Sequence, residues 1–309
     1  MLAARLLTGL RRLLALAAVA ALAGCEAPPP PPEPRYGDAP SPTAVKVMRF
    51  AVHPLHNPQR LARAYQPLLD YLNWQVPGVM LELEASRDYA HYEEKIRRRE
   101  PEFLLPNPWQ SLEAIKLGYR VIAMAGEPAD FRGIFIVRRD GAIRRPTDLK
   151  GKAVSYPSPT ALAACIMPQW FLHNQGIDVM GDIDNRYVGS QESSIMNVYL
   201  GQTAAGATWP PPWRAFQKDH PAEAAALQVA WETPPLVNNS VMVRDDVPPA
   251  VADAVRQALL DLAATPQGTA ILAGMETARF LPAADADYAA VRRFVDSFEG
   301  RVRKVEEHR

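Results

Sequence analysis

The stretch Ser155-Tyr156-Pro157-Ser158-Pro159-Thr160 holds small hydroxyl residues and two prolines at the point where a short apolar strand gives way to a helical pattern over residues 160–174. A helix that starts there leaves its first backbone N–H groups without intrahelical acceptors, and its dipole adds partial positive charge at the same end. That combination is an oxyanion cradle. The hydroxyls of Ser158 and Thr160 can each donate to an anion's oxygen without a formal cation, with Tyr156 and Ala161 flanking them. The plainer alternative is that one of the two hydroxyls caps the helix.

Other residues can complete such a site. His53 and Asn57 follow the first strand, where ligand contacts come from the carboxyl end of a sheet. Asn107-Pro108-Trp109 opens another helix, and Thr208-Trp209-Pro210-Pro211-Pro212-Trp213 places two indoles around a rigid turn after a short strand. Indole faces clamp aromatic or cationic groups, or pack between lobes; core packing suits Trp213 and Trp231 better, whereas Trp109 and Trp209 are ligand candidates. Gln191 can donate or accept, and with Glu192 it either faces the ligand or forms a solvated first helical turn.

Three other chemistries fail. His53 and His56 are separated by Pro54 and no His/Glu helix pair follows, so no metal site is expected. Gly201 to Thr208 mimics a phosphate loop, but Ala207 stands where the lysine belongs and Trp209-Pro210 follows. Cys165 lies mid-helix among Ala163, Ala164, Ile166 and Met167, which reads as a buried apolar thiol. No cofactor and no enzyme activity are expected, because no nucleophile has a matched base.

The elements that position these residues alternate. Strands are expected at 45–52, 79–84, 102–105, 119–124, 134–137 and 152–155, with helices at 59–73 (kinked at Pro67), 88–99, 108–116 and 160–174. This order predicts an α/β class with mostly parallel sheets covered by helices. Beyond Pro221 a strand at 236–243 precedes helices near 249–264, 266–272 and 285–298, as in a chain that leaves one lobe and returns to finish it. The basic run Lys95-Ile96-Arg97-Arg98-Arg99 reads as a solvated helix end.

At 309 residues, 48% apolar and 22% charged, the chain is globular and holds one large or two ordinary domains. Lys and Arg number 34, as do Asp and Glu, so no overall field gathers nucleic acid and any anion must be held locally. Residues 1–24 read as a signal peptide: Arg5, Arg11 and Arg12 precede an apolar run too short to span a bilayer. It ends in Leu22-Ala23-Gly24-Cys25, which resembles the bacterial lipobox, so Cys25 is expected to carry a lipid. Residues 25–43, with Pro28 to Pro32 unbroken, suit a semi-rigid polyproline tether.

An ordered set of segments resembles the phosphate/phosphite/phosphonate-binding proteins of ABC importers. These are Val45-Lys46-Val47-Met48-Arg49-Phe50-Ala51-Val52, Tyr65-Gln66-Pro67-Leu68-Leu69-Asp70-Tyr71-Leu72, Phe131-Arg132-Gly133-Ile134-Phe135-Ile136-Val137-Arg138, Ser158-Pro159-Thr160, Gly189-Ser190-Gln191-Glu192 and Asn238-Asn239-Ser240-Val241-Met242-Val243-Arg244. The resemblance implies a two-lobed periplasmic binding protein of type II (Venus-flytrap), with two crossovers: lobe 1 from 44–131 and 236–309, lobe 2 from 132–235. It implies a substrate-binding lipoprotein, anchored through Cys25 on the periplasmic or outer side of a membrane and expected to be a monomer. Such a receptor captures a small oxyanion between its lobes and hands it to a permease and ATPase; a sensing or assembly module of the same fold, uncoupled from transport, or a receptor for a different small organic ligand, is the alternative. The implied ligand set is Ser158, Thr160, Ala161, Tyr156, Gln191, Glu192, Trp109, Asn107, His53 and Trp209. Relatives often place a tyrosine in the stretch of Asn107 to Trp109, and a histidine followed by an acid where this chain has Gln191-Glu192.

Overall fold

Burial of Met48, Phe50, Ala51 and Val52 along residues 46–52 and a 3–4 residue spacing of Leu61, Ala64, Tyr65, Leu68, Leu69 and Leu72 build the first layer pair, a strand with a helix laid on it. The computed structural model describes residues 45–305. The expected signal peptide, the lipidation site Cys25 and the tether lie outside the described residues. In chain order, β1 (Lys46–Val52) leads to α1 (Pro58–Gln75), β2 (Val79–Glu84), α2 (Tyr89–Arg97), β3 (Phe103–Leu105), α3 (Pro108–Lys116) and β4 (Tyr119–Ala125). The second lobe holds β5 (Ile134–Arg138), β6 (Lys152–Tyr156), α4 (Met167–Asn174), β7 (Ile183–Tyr187), α5 (Gln191–Tyr199), β8 (Ala205–Thr208), α6 (Pro210–Asp219), α7 (Pro221–Ala225) and β9 (Leu227–Glu232). The chain then returns through β10 (Ser240–Arg244), α8 (Pro249–Asp261), α9 (Pro266–Gly274), β11 (Phe280–Leu281) and α10 (Ala289–Arg301).

Two sheets result, ordered β11-β4-β10-β3-β1-β2 and β7-β6-β8-β5-β9. Pairs β1/β2, β1/β3, β6/β7 and β6/β8 are parallel, but every pair made by β10, β11 or β5 is antiparallel. The sheets are thus mixed rather than mostly parallel, because each lobe accepts the strand that arrives from the other lobe running against its neighbours. The two crossing segments pair with each other: Thr233 N–H donates to the Gly133 carbonyl at 2.8 Å, and Leu236 N–H to the Phe131 carbonyl at 2.9 Å. Gly133 has no room for a side chain, since a Cβ there would sit 2.5 Å from the Ala163 carbonyl oxygen. The crossing therefore lies directly against the segment that follows β6.

Fully buried Phe50, Leu68, Leu69, Tyr92 and Phe103 anchor the core of lobe 1, each worth about 1.5–3 kcal/mol of burial. Helix α1 runs unbroken through Pro67, as one helix over the expected span. Lys95 departs from the solvated helix end expected of its basic run: it is buried, with Nζ 2.6 Å from Glu84 Oε1 and donating to the Ala85 carbonyl at 2.9 Å. The expected single helix over 160–174 is two pieces, a π-turn over Leu162–Ile166 followed by α4.

Candidate functional site

The carboxyl ends of both sheets face one cavity, the position at which open α/β sheets bind ligands. From lobe 1 come His53 after β1, Tyr89 after β2 and Asn107 after β3; from lobe 2 come Ala161, Leu162, Ala163 and Ala164 after β6, Gln191 after β7 and Trp209 after β8. The crossing segments add Phe131 and Asn239. The cavity offers about 10 Å³ to the centre of a water-sized sphere, which is room for about one water. That volume is too small for a tetrahedral oxyanion.

The front of the π-turn supplies donors. Its cap residue Ala161 makes no side-chain cap bond, and the first bonds of the turn run from Cys165 and Ile166 N–H to the Ala161 carbonyl. The amides of Leu162, Ala163 and Ala164 have no protein acceptor among the described residues. The carbonyls that precede them are turned aside: Asn107 Nδ2 donates to the Thr160 carbonyl at 3.2 Å, and Arg303 Nη2 to the Pro159 carbonyl at 2.7 Å.

The hydroxyls of the loop are already engaged. Thr160 Oγ1 donates to Glu93 Oε1 at 2.6 Å, and Ser158 Oγ lies 3.0 Å from Thr160 Oγ1. Gln110 Nε2 donates to the same carboxylate oxygen at 3.0 Å. Since Glu93 sits on α2 and Thr160 on the lobe 2 loop, this bond ties the lobes together, as does Gln191 Nε2 donating to Tyr89 OH at 3.3 Å. Gln191 Oε1 accepts from Thr208 Oγ1 at 2.8 Å, which fixes its orientation.

Asn107 owes its position to the start of α3, where it accepts from Trp109 and Gln110 N–H while Gln110 Oε1 accepts from Asn107 N–H. His53 Nδ1 lies 2.9 Å from the Leu105 carbonyl oxygen; burial lowers its pKa to about 4. Burial, then Arg60 and His53, lowers His56 to about 3. Burial also raises the Tyr89 phenol, so these three side chains are neutral at neutral pH.

Of the residues singled out in the sequence, His53, Asn107, Ala161, Gln191 and Trp209 line the cavity, and Ser158 and Thr160 sit behind its wall. Four lie elsewhere. Asn57 caps α1, accepting from Arg60 N–H at 2.9 Å, and lines an outer groove. Tyr156 is buried against Tyr187, ring centroids 6.0 Å apart. Glu192 faces an outer groove, 3.5 Å from His220. Trp109 packs at a hollow on the other side of α3 with Leu112, Val295 and Val305. Sequence reasoning did not single out Tyr89, Phe131, Glu93, Asn239 or the amides of Leu162 to Ala164. Asn239 stood within a quoted segment, and Tyr89 opens the helix that follows β2. Among the described residues no group of three or more His, Cys, Asp or Glu side chains is placed to hold a metal ion.

Residues 50–288 match the family described as ABC transporter, phosphonate, periplasmic substrate-binding protein. The probable phosphite-binding ABC transporter protein PhnD1 of Prochlorococcus marinus is 23% identical over 135 residues, a match spanning 41% of this chain and 46% of that relative. The structure of PhnD1 from the same organism, in complex with methylphosphonate, superposes with TM-score 0.75 at 19% identity over 82% of this chain and 98% of that one. A binding protein component of an ABC phosphonate transporter from Pseudomonas aeruginosa gives TM-score 0.76 at 16% identity, covering 82% and 87%. With this two-lobed fold and a family match across most of its length, the chain belongs to the periplasmic substrate-binding proteins of phosphonate ABC transporters.

Proposed function

We propose that this protein is the receptor of an ABC importer and captures a small oxyanion of the phosphonate, phosphite or phosphate kind between its lobes. It works as a periplasmic monomer, held to the membrane by a lipid on Cys25, and passes its cargo to a permease driven by an ATPase. It acts by binding, not by catalysis. The observation that carries the reading is the trio of amides at Leu162, Ala163 and Ala164, without protein acceptors and lining a cavity between the lobes. Buried amides demand partners, and an anion's oxygens at a helix front satisfy several at once. The relatives support the oxyanion class: one is described as phosphite-binding, and another holds methylphosphonate.

Closure accounts for the small cavity. The cross-lobe bonds Thr160 to Glu93, Gln191 to Tyr89 and Asn107 to the Thr160 carbonyl all form in this closed state. A ligand must outcompete them to enter and gains them back, in part, when the lobes reclose around it. The measured affinity is reduced by whatever fraction of molecules is already closed and empty. Isothermal titration of the full-length protein with methylphosphonate, phosphite, phosphate and sulfate tests the reading. Saturable one-to-one binding of at least one phosphorus oxyanion is expected; heat from none of them would overturn it.

A further inference from the structure

The two faces of the cavity differ in what they offer a ligand. The lobe 2 face presents N–H donors from Leu162, Ala163 and Ala164. The opposite face presents two unpaired acceptors beside the Tyr89 hydroxyl, which accepts from Gln191 Nε2. A carbonyl oxygen only accepts, so the 2.9 Å contact between His53 Nδ1 and the Leu105 carbonyl places the ring's proton on Nδ1. The neutral ring then carries a bare lone pair on Nε2. Asn239 is 4% exposed, lines the same cavity, and its Oδ1 has no donor among the described residues. Among the described residues no Lys or Arg lines the cavity.

An oxyanion with no proton, such as a sulfonate, fills the donor face but sets its remaining oxygen against these lone pairs. That repulsion is costly in a dry site. An oxyanion with one remaining hydroxyl satisfies both faces. Resting on the receptor reading above, we infer that His53 and Asn239 make this a site for singly protonated oxyanions, phosphonate monoanions above all, and exclude sulfonates. A phosphonate dianion binds only by taking one proton from solvent, which then lies between its oxygen and His53 Nε2. No covalent bond changes.

The groups facing His53 do not supply that proton. Tyr89 of α2 meets it edge-on at 6.2 Å and keeps its phenol protonated through burial. His56, on the same loop, is held neutral by burial and by Arg60 of α1. Glu93 of α2 accepts from Thr160 and Gln110.

The test is calorimetric titration of the full-length protein with methylphosphonate and its isostere methanesulfonate from about pH 6 to about pH 9, in buffers of differing ionisation enthalpy. Methylphosphonate is expected to bind at least about tenfold tighter than methanesulfonate, as sites built to hydrogen-bond a hydroxyl reject analogues lacking it. Net proton uptake should climb towards one per ligand as pH passes the ligand's second ionisation. H53F, or N239L in its place, should shrink the preference, chiefly by tightening methanesulfonate binding as the repelling lone pair is removed. Equal affinity for the two ligands, absence of proton uptake at high pH, or an unchanged preference in folded H53F would each overturn the inference and leave the receptor reading standing. Binding of neither ligand would overturn the receptor reading itself. If both variants fail to fold, the wild-type preference and proton uptake decide alone.

Discussion

The interior of the cleft and its rim solve the same problem, joining two lobes, with opposite chemistry. Inside, the cavity is lined by backbone amides, neutral His53, Asn107, Gln191 and Asn239, with the Glu93 carboxylate held behind them by Thr160 and Gln110. Outside, a groove of about 510 Å³ is lined by Arg60, Arg63, Glu192, Asp219 and His220. There Arg60 of α1 pairs with Asp219 of α6, and Arg214 of α6 reaches Asp130 and Glu276, each at 3.1 Å. Lys218 joins the same Glu276. Charges sit where water can reach them when the lobes part, and neutral dipoles sit where desolvating a charge would cost several kcal/mol. The difference teaches that closure is cheap at the rim and selective within.

The interior should break first, and by acid. Burial holds His53 at about 4 and His56 at about 3 in the fold, against 6.5 when unfolded. Because these pKa values are lowered, the unfolded chain binds more protons between them and 6.5; the stabilisation is complete above 6.5 and lost as pH falls towards 4. By pH 4 the loss should reach about 3 kcal/mol from His53 alone, with a further contribution from His56. Urea unfolding at a series of pH values checks this, and a His53→Gln variant should flatten the profile. A stability unchanged between neutral pH and pH 4 would show the two rings are not buried neutral.

Next is the cradle. Leu162→Pro removes one amide donor at the first position of the turn, where proline's missing N–H is tolerated and the extended Ala161 before it suits a proline neighbour. Methylphosphonate affinity should fall by about tenfold to a hundredfold, with far-UV circular dichroism preserved. An unchanged affinity in titration would move the ligand away from this helix front. Thr160→Val removes the donor to Glu93 without touching the ligand, so it should weaken binding less, by about fivefold, through the closed state. The smallest effect belongs to the rim. Arg60→Gln should change affinity by about twofold at low salt, a difference that fades at about 0.5 M salt; a tenfold, salt-insensitive loss would mean the rim reaches inside.

Much of the fold was legible in the sequence, because periodicity and end signals are local. Helix α3 matches its expected span, residues 108–116, since Asn107, Pro108 and Gln110 spell a capping box with proline at the first position. The same signal misled at Pro210-Pro211-Pro212, which reads as a rigid turn yet forms the first turn of α6, where missing N–H groups cost nothing. Strand β10 begins at Ser240 rather than 236, because Leu236 to Asn239 are spent on the crossing. Strands β7, β9 and β11 carry no readable pattern: β7 and β9 each bury only their first residue, Ile183 and Leu227, and β11 is two residues long.

The site was legible only as far as strand ends could be located. His53, Asn107 and Trp209 follow strands placed from the sequence, Gln191 came with the family resemblance, and all four line the cavity. Helix phase was not legible: two residues after Asn107, the turn of α3 carries Trp109 to the outer face. Nor was the pairing of Thr160 with Glu93, 67 residues apart, which depends on how the lobes meet. Backbone donors leave no residue signature at all, since the amides of Leu162, Ala163 and Ala164 belong to side chains that look like core.

Those amides are where the account is most exposed. Titrating full-length, 15N-labelled protein with methylphosphonate and following the amide resonances of Leu162, Ala163 and Ala164 tests it directly. All three protons should shift downfield and saturate together with the binding heat, as bonds to a charged oxygen form. Ligand binding that leaves these three resonances in place would contradict the account.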